Sequence, residues 1–218
     1  MDTAKARKHM VDSQVRPNDV TDSGLIKAMG RIPREDFVPS NRRSLAYVEK
    51  DVPLFEGRWL LKARDFSKLI NEAHIHPGDL VLDVGCGYGY GCAVMAPLGS
   101  VVVGLEENTE AVSQAQTSCT NLGLDNVAIV EGELAAGFAD QGPYDVIVIA
   151  GGAEIIPEKL FDQLSPEGGR MVAILVDRGV GHAMLYTRHH DAIGERMLFE
   201  CHPAGILPGF NRTAGFVF

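Results

Sequence analysis

The chain has 218 residues, a net charge of −9, 45% hydrophobic and 22% charged residues. That length suits one domain, or one domain with an extension, and the balance is that of a soluble globular protein. The acidic charge argues against a large nucleic-acid footprint, and no apolar run approaches the roughly 20 residues of a membrane helix.

The N-terminus, "MDTAKARKHMVDSQ", lacks the apolar core of a secretory signal. The cysteines Cys86, Cys92, Cys119 and Cys201 are scattered, with no Cys-x-x-Cys pair. A reducing cytoplasm is therefore expected, without zinc or a disulfide framework. His74 and His76, and the adjacent His189 and His190, read as loop or surface histidines, so no metal is expected.

Residues 1–50 read as broken helix. "SGLIKAMGRI" has helical spacing and stops at Pro33, and "PREDFVP" reads as a turn into a short helix. From residue 62 helices and strands alternate. "KARDFSKLINEAHI" is amphipathic and ends before the turn "HPGD". "LVLDV" is a strand, "GYGCAVMAPLG" a loop and helix, and "SVVVGLE" the second strand. "ENTEAVSQAQTSCTNLGL" is a helix with Asn108 as N-cap, followed by the strands "NVAIVEG" and "YDVIVIAGG". "PEKLFDQLSPEGG" reads as a helix and "RMVAILV" as the fifth strand. Such alternation, with continuous apolar strands, predicts an α/β fold: a mostly parallel twisted sheet with helices on both faces. "HAMLYTRHH" and "ERMLFECHP" are expected to form an antiparallel edge around a turn containing Gly194, with "AGFVF" as a last strand. The expected organisation is an N-terminal helical extension with a substrate loop over residues 1–75 and a ligand-binding core over residues 76–218, as one structural unit.

In open α/β sheets ligands bind at the carboxyl ends of strands. The first strand of the core opens there onto Gly85, Gly87, Gly89 and Gly91. A dinucleotide fingerprint, G-x-G-x-x-G, fails because its last position falls on Tyr90 or Cys92, and no lysine supplies a Walker loop. Asp83, two residues before the first glycine, would repel a phosphate and suits a cationic or donor group. Glu106 ends the next strand, and an acid there binds the hydroxyls of a ribose. A ribose, a positive amino-acid end and no phosphate together describe S-adenosylmethionine.

"VLDVGCGYGYG", Glu106, "VEGE" and "YDVIVIAGGA" in series resemble the motifs of Rossmann-like class I S-adenosylmethionine-dependent methyltransferases. "ARKHMVDSQVRPNDVTDSGLIKAMGRIPREDFVP" and "FDQLSPEGGRMVAILV" are similar to the protein-L-isoaspartate O-methyltransferase family. The likeness runs from about residue 5 to residue 180. It implies methyl transfer from S-adenosyl-L-methionine, leaving S-adenosyl-L-homocysteine, to the free carboxylate of isoaspartyl residues in damaged proteins or peptides. By the same resemblance Asp83, Gly85, Cys86 and Gly87 form the cofactor loop, Glu106 with Glu107 meets the ribose, Gly132 and Glu133 stand near the adenine, and Ala150 borders the site.

The family's substrate loop is altered. Gly57 matches its glycine, but Trp59 stands at its threonine position, Leu61 at its serine and Ala63 at its proline. A carboxylate, with a reference pKa around 4, needs no general base to attack a sulfonium methyl, so no catalytic residue is assigned. Arg58, Lys62 and Arg64 surround Trp59 and are expected to hold an anionic acceptor, with the indole as a stacking surface. Leu207 and Pro208, in a stretch running to Phe210, are candidates for the other wall. Two further readings stay open at this level: methylation of a small anionic or aromatic molecule, and cofactor binding without catalysis. Oligomeric state and loop closure are open too. A nucleic-acid methyltransferase is disfavoured by the charge and by "AGGAEIIP" after the fourth strand.

Overall fold

The computed structural model describes residues 2–212. Helix α1 (Thr3–Met10) is capped by Asp2 and runs into a wider π turn at Val11–Val15. Helix α2 (Ser23–Arg31) is capped by Asp22, whose side chain accepts from Leu25 N. It ends two residues before Pro33, as the sequence predicts. "PREDFVP" forms a 3-10 turn, Arg34–Phe37. A small hairpin of β1 (Val52–Pro53) and β2 (Trp59–Leu60) leads into α3 (Ala63–Ala73).

The core sheet then builds up: β3 (Leu80–Val84), α4 (Tyr90–Met95), β4 (Val101–Glu106), α5 (Thr109–Asn121), β5 (Val127–Glu131), β6 (Val146–Ala153), α6 (Glu158–Asp162), β7 (Glu167–Asp177), β8 (Val180–His189) and β9 (Ala192–Cys201). Its strand order is β5-β4-β3-β6-β7-β8-β9. The pairs from β5 to β7 are parallel and the last two antiparallel. After β5 the chain crosses back to the far side of β3, so the strand order switches between β3 and β6. That is where such sheets open a ligand crevice.

Both sheet faces are apolar, which explains the continuous strands. Val81, Val102, Val146 and Val148 enter one buried cluster together with the N-terminal helices, α3 and α4. Leu82, Val103, Ile147 and Ile149 enter the other, with Tyr144, Leu160 and Phe210. Alternate side chains on each strand thus feed two cores. The N-terminal extension shares the first of them. Among the described residues no helix is long and apolar enough to cross a membrane.

Three local readings need correction. The β8–β9 turn is His190–Asp191, with His190 at φ +54°, while Gly194 lies inside β9 opposite Thr187. A two-residue turn closes this hairpin, so no glycine was needed there. The helix over "PEKLFDQLSPEGG" stops at Asp162, because Glu167 already pairs with β8 and Tyr144 N–H bonds Gln163 O. Helix α4 likewise spans only Tyr90–Met95 of its longer predicted stretch. The expected strand "AGFVF" lies outside the described residues.

Candidate active site

The glycine loop follows from the end of β3. Gly85, Gly87 and Gly89 have φ of +76°, +57° and +91°, a region that only glycine adopts freely. Side chains could not be added cheaply: a Cβ at Gly87 would come within 2.8 Å of Leu54, and one at Gly91 would collide with the Asp83 carboxyl. The bareness that the sequence displays is thus a packing requirement.

Asp83 is 2% exposed and accepts from the Cys92 thiol at 3.3 Å. Burial pushes its pKa up to about 6, against the opposing pull of that thiol and of Arg58. A buried acid served by a weak S–H donor, at the mouth of a bare loop, suits an incoming ammonium group. Glu106 is fully buried at the end of β4. It accepts from Gly87 N at 2.9 Å and Glu107 N at 3.0 Å, so the glycine loop and the second strand end are tied through one carboxylate. Glu107 stands beside it, largely exposed; partial desolvation of its carboxyl and the charge of Glu106 raise its pKa. Gly132 N bonds Glu106 O at 3.0 Å, and Glu133 is exposed just beyond. Asp83, Gly85, Cys86, Gly87, Glu106, Glu107, Gly132, Glu133 and Ala150 therefore all lie at the carboxyl ends of β3, β4, β5 and β6. Charge, donors and bare backbone there fit S-adenosylmethionine.

The opposite wall is the β1–β2 strap. Gly57, at φ +71°, turns the chain so that Arg58 N reaches Phe55 O at 3.0 Å. Trp59, Leu61 and Ala150 border two small cavities at once. One, of about 30 Å³, faces Asp83 and the glycine loop; the other, of about 20 Å³, faces Asp51, Gly151 and the tail at Gly205 and Leu207. The tail is fixed by backbone: Leu207 N donates to Gly152 O at 2.8 Å, beside a bulge after Ile149 in β6. Bulges of this kind re-aim a strand end next to a site. Pro208 instead borders an open cleft with Phe55, Glu56, Arg58, Glu107 and Asn108.

The expected cationic cradle is not what the strap forms. Arg58 is 3% exposed, donates to Glu106 Oε1 at 3.0 Å and to Gly85 O at 2.6 Å, and lies 3.0 Å from Glu106 Oε2. Lys62 pairs with Asp65 at 2.8 Å and reaches His202 O. Arg64 bonds Asn18 at 3.1 Å and neighbours Asp65. Each cation is drawn to a buried acid or carbonyl: Asp65 is near in sequence, but Glu106, His202 and Asn18 are partners that spacing does not reveal. Sequence reasoning also passed over Asp51, Gly205 and Arg34. Asp51 accepts from Lys62 N at 2.8 Å and Ala204 N at 2.7 Å, clamping strap to tail. A Cβ at Gly205 would collide with the Trp59 ring. Arg34, fully buried, donates to Ala46 O and Leu61 O, both at 2.7 Å, and lies over the Tyr90 ring at 4.7 Å. A charged residue between two prolines in "PREDFVP" was the available hint for Arg34; Asp51 and Gly205 gave none. Among the described residues no three His, Cys, Asp or Glu side chains gather as a metal site.

A seven-stranded sheet with this order, glycine loop and strand-end acid makes the chain a class I S-adenosylmethionine-dependent methyltransferase. Its overall structure superposes with a TM-score of 0.80 on a protein-L-isoaspartate O-methyltransferase, at 24% identity over 94% of this chain and 67% of the other. It superposes at 0.78 on a Plasmodium falciparum structure in complex with S-adenosyl-L-homocysteine, at 19% identity over 92% and 98%. At such identities these likenesses speak for the fold. Sequence goes further. Residues 5–201 match the family model described as Protein-L-isoaspartate(D-aspartate) O-methyltransferase (PCMT). The protein-L-isoaspartate O-methyltransferase of Koribacter versatilis is 36% identical over 76% of this chain and 74% of its own. That of Gloeobacter violaceus is 31% identical over 87% and 93%. The chain belongs to the protein-L-isoaspartate O-methyltransferase family.

Proposed function

We propose that this protein methylates the free carboxylate of L-isoaspartyl residues in damaged proteins or peptides. The observation that carries the cofactor half is the Glu106 carboxylate, buried at a strand end and bonded to the glycine loop at Gly87. S-adenosylmethionine, when bound, would supply an electrophilic methyl for an acceptor carboxylate oxygen, with the electron pair of the methyl–sulfur bond left on sulfur. The protein's own part is alignment. Asp83 receives the amino end, Glu106 the ribose hydroxyls, and the loop backbone at Gly85 and Gly87 lets the ligand approach. Trp59, Leu61 and Ala150 border both the loop cavity and the tail cavity, so an acceptor oxygen reaches the methyl beside these apolar side chains, where the two cavities adjoin. An ionised carboxylate needs no base, so positioning accounts for most of the acceleration. A protein or peptide acceptor suits the net charge of −9 better than a nucleic acid. Four free cysteines suit the reducing cytoplasm.

The test is transfer of labelled methyl from S-adenosylmethionine to an isoaspartyl peptide, with the matched aspartyl peptide as control. Label on the isoaspartyl peptide alone is expected. Equal label on both, or none on either while S-adenosylhomocysteine binds, overturns the acceptor assignment.

A further inference from the structure

Glu106 carries the cofactor half of the reading above, but the buried Arg58 that pairs with it plays no part there. Glu106 offers about four lone-pair positions. They are already met by the Arg58 fork and by Gly87 N and Glu107 N, all at 2.9–3.0 Å, with Asn108 N a further donor at 3.3 Å. The three backbone donors are fixed by the glycine loop and the end of β4. Arg58 stands on the β1–β2 turn, held by two-residue strands. A ribose diol needs the lone pairs that Arg58 holds. A guanidinium against Gly85 O also repels any cationic ligand of the adjacent Asp83. Arg58 and the cofactor therefore exclude each other at Glu106.

Arg58 borders the open cleft with Pro208, and its guanidinium also reaches Gly85, which lines the loop cavity. Its Nη2 and the Leu207 Cδ2 converge on Gly85, where a Cβ would meet them at 2.7 and 3.3 Å. Leu207 borders the tail cavity and Gly85 the loop cavity. Among the described residues neither cavity is bordered by a lysine or an arginine, and the tail cavity holds an acid, Asp51. Lys62 and Arg64 are committed to Asp65. An acceptor carboxylate would be desolvated there with no counter-charge unless Arg58 supplied it.

We propose that Arg58 serves two carboxylates in turn. It holds Glu106 before the cofactor binds, and turns to the acceptor's carboxylate once the ribose hydroxyls occupy Glu106. Arg58 is then the residue that selects an anionic acceptor, and acceptor binding depends on the cofactor. The acceptor half rests on the isoaspartyl reading; the exchange at Glu106 rests only on the cofactor site.

The experiment titrates wild type, Arg58→Met and Arg58→Lys by calorimetry, first with S-adenosylhomocysteine, then with an isoaspartyl peptide in its presence and absence. Methionine keeps an apolar stem without the guanidinium that lies over the Phe55 ring; lysine keeps the charge without the fork, and circular dichroism checks folding of each. The expected result is S-adenosylhomocysteine binding at least about tenfold tighter in R58M, and peptide binding that needs S-adenosylhomocysteine in wild type and weakens at least about tenfold in R58M, with R58K between the two in both readouts. A merely structural Arg58 would weaken both ligands together. Unchanged or weaker S-adenosylhomocysteine binding in R58M overturns the exchange, and unchanged peptide affinity overturns the acceptor role. If loaded wild type neither binds nor methylates the peptide, the isoaspartyl reading and the acceptor role fail together, while the S-adenosylhomocysteine titration still decides the exchange.

Discussion

At the glycine-loop end of the cleft, the groups that face a ligand come from consecutive strand ends, and backbone hydrogen bonds hold them. Glu106 is bonded to the amides of Gly87 and Glu107, and Gly87 carries the φ of +57° that lets its amide point there. At the acceptor end the wall is assembled from distant segments: the strap at Trp59 and Leu61, the bulged end of β6, and the tail at Gly205–Leu207. Its contacts are side chain against bare backbone, as where the Trp59 ring lies over Gly205. The first end is a property of the sheet, with geometry set by strand register. The second depends on how three loops settle against one another, so it can change its residues without disturbing the sheet.

The sharpest way to break the first end is Glu106→Ala. Hydrogen bonds to a charged group are worth about 1.5–3 kcal/mol each, so losing two ribose contacts should weaken S-adenosylhomocysteine binding at least about 100-fold. Arg58 would be left buried without its partner, and urea unfolding should show a loss of about 3–5 kcal/mol. Calorimetry showing near-normal affinity would remove Glu106 from the ribose role.

Asp83 tests the same end by pH. Its folded pKa of about 6 lies above the ordinary value of 3.8, chiefly because the carboxyl is buried. The folded state therefore holds its proton more tightly than the unfolded chain. Stability of the unliganded protein should fall as pH rises from about 4 to about 6, and the full penalty, about 3 kcal/mol, is present above that. Asp83→Asn should accordingly raise the unliganded melting temperature at pH 7. Ligand binding has the opposite sign: an ammonium favours ionised Asp83, so S-adenosylhomocysteine affinity should fall by up to about tenfold per pH unit below pH 6. A flat affinity profile between pH 5 and 8 would show that Asp83 does not receive the amino end.

The same contrast explains what could be read before the fold was known. Glycine spacing and an acid at the next strand end are local statements about chain geometry, so "LDVGCGYG" and Glu106 pointed to the crevice and its ligand. The sheet was legible because both of its faces are apolar. The strap was not, because a cation's partner is set by tertiary contact. Arg58 finds Glu106 across 48 positions and Lys62 finds the carbonyl of His202 across 140. Gly194 misled for a related reason: glycine permits a turn but does not require one, and the β8–β9 register put the turn at His190.

Gly205→Ala probes the acceptor end directly. Its backbone needs no left-handed φ, so the added methyl acts only by meeting the Trp59 ring. Overpacking of this kind costs about 1–3 kcal/mol. Trp59→Ala in the same chain should relieve most of it, giving a coupling that a double-mutant cycle reads from denaturant midpoints. Additive effects would mean that the strap and tail do not pack as described.

Leu61→Ser places a hydroxyl in the strap, where the family resemblance implies one, and it separates the two ends most finely. Leu61 is 3% exposed, and its truncation leaves space beside the wall between the cavities, lowering stability by about 2–4 kcal/mol. Its backbone carbonyl still accepts from Arg34, so the strap keeps its anchor. A new O–H donor facing an acceptor carboxylate should lower KM for an isoaspartyl peptide by about tenfold, the equivalent of about 1.4 kcal/mol and the low end for a charged hydrogen bond. S-adenosylhomocysteine, held by Asp83, Glu106 and loop backbone, should bind the variant within about twofold of wild type. Should KM stay fixed while cofactor affinity moves, Leu61 belongs to the cofactor end, and the division of the cleft lies on the tail side of the strap.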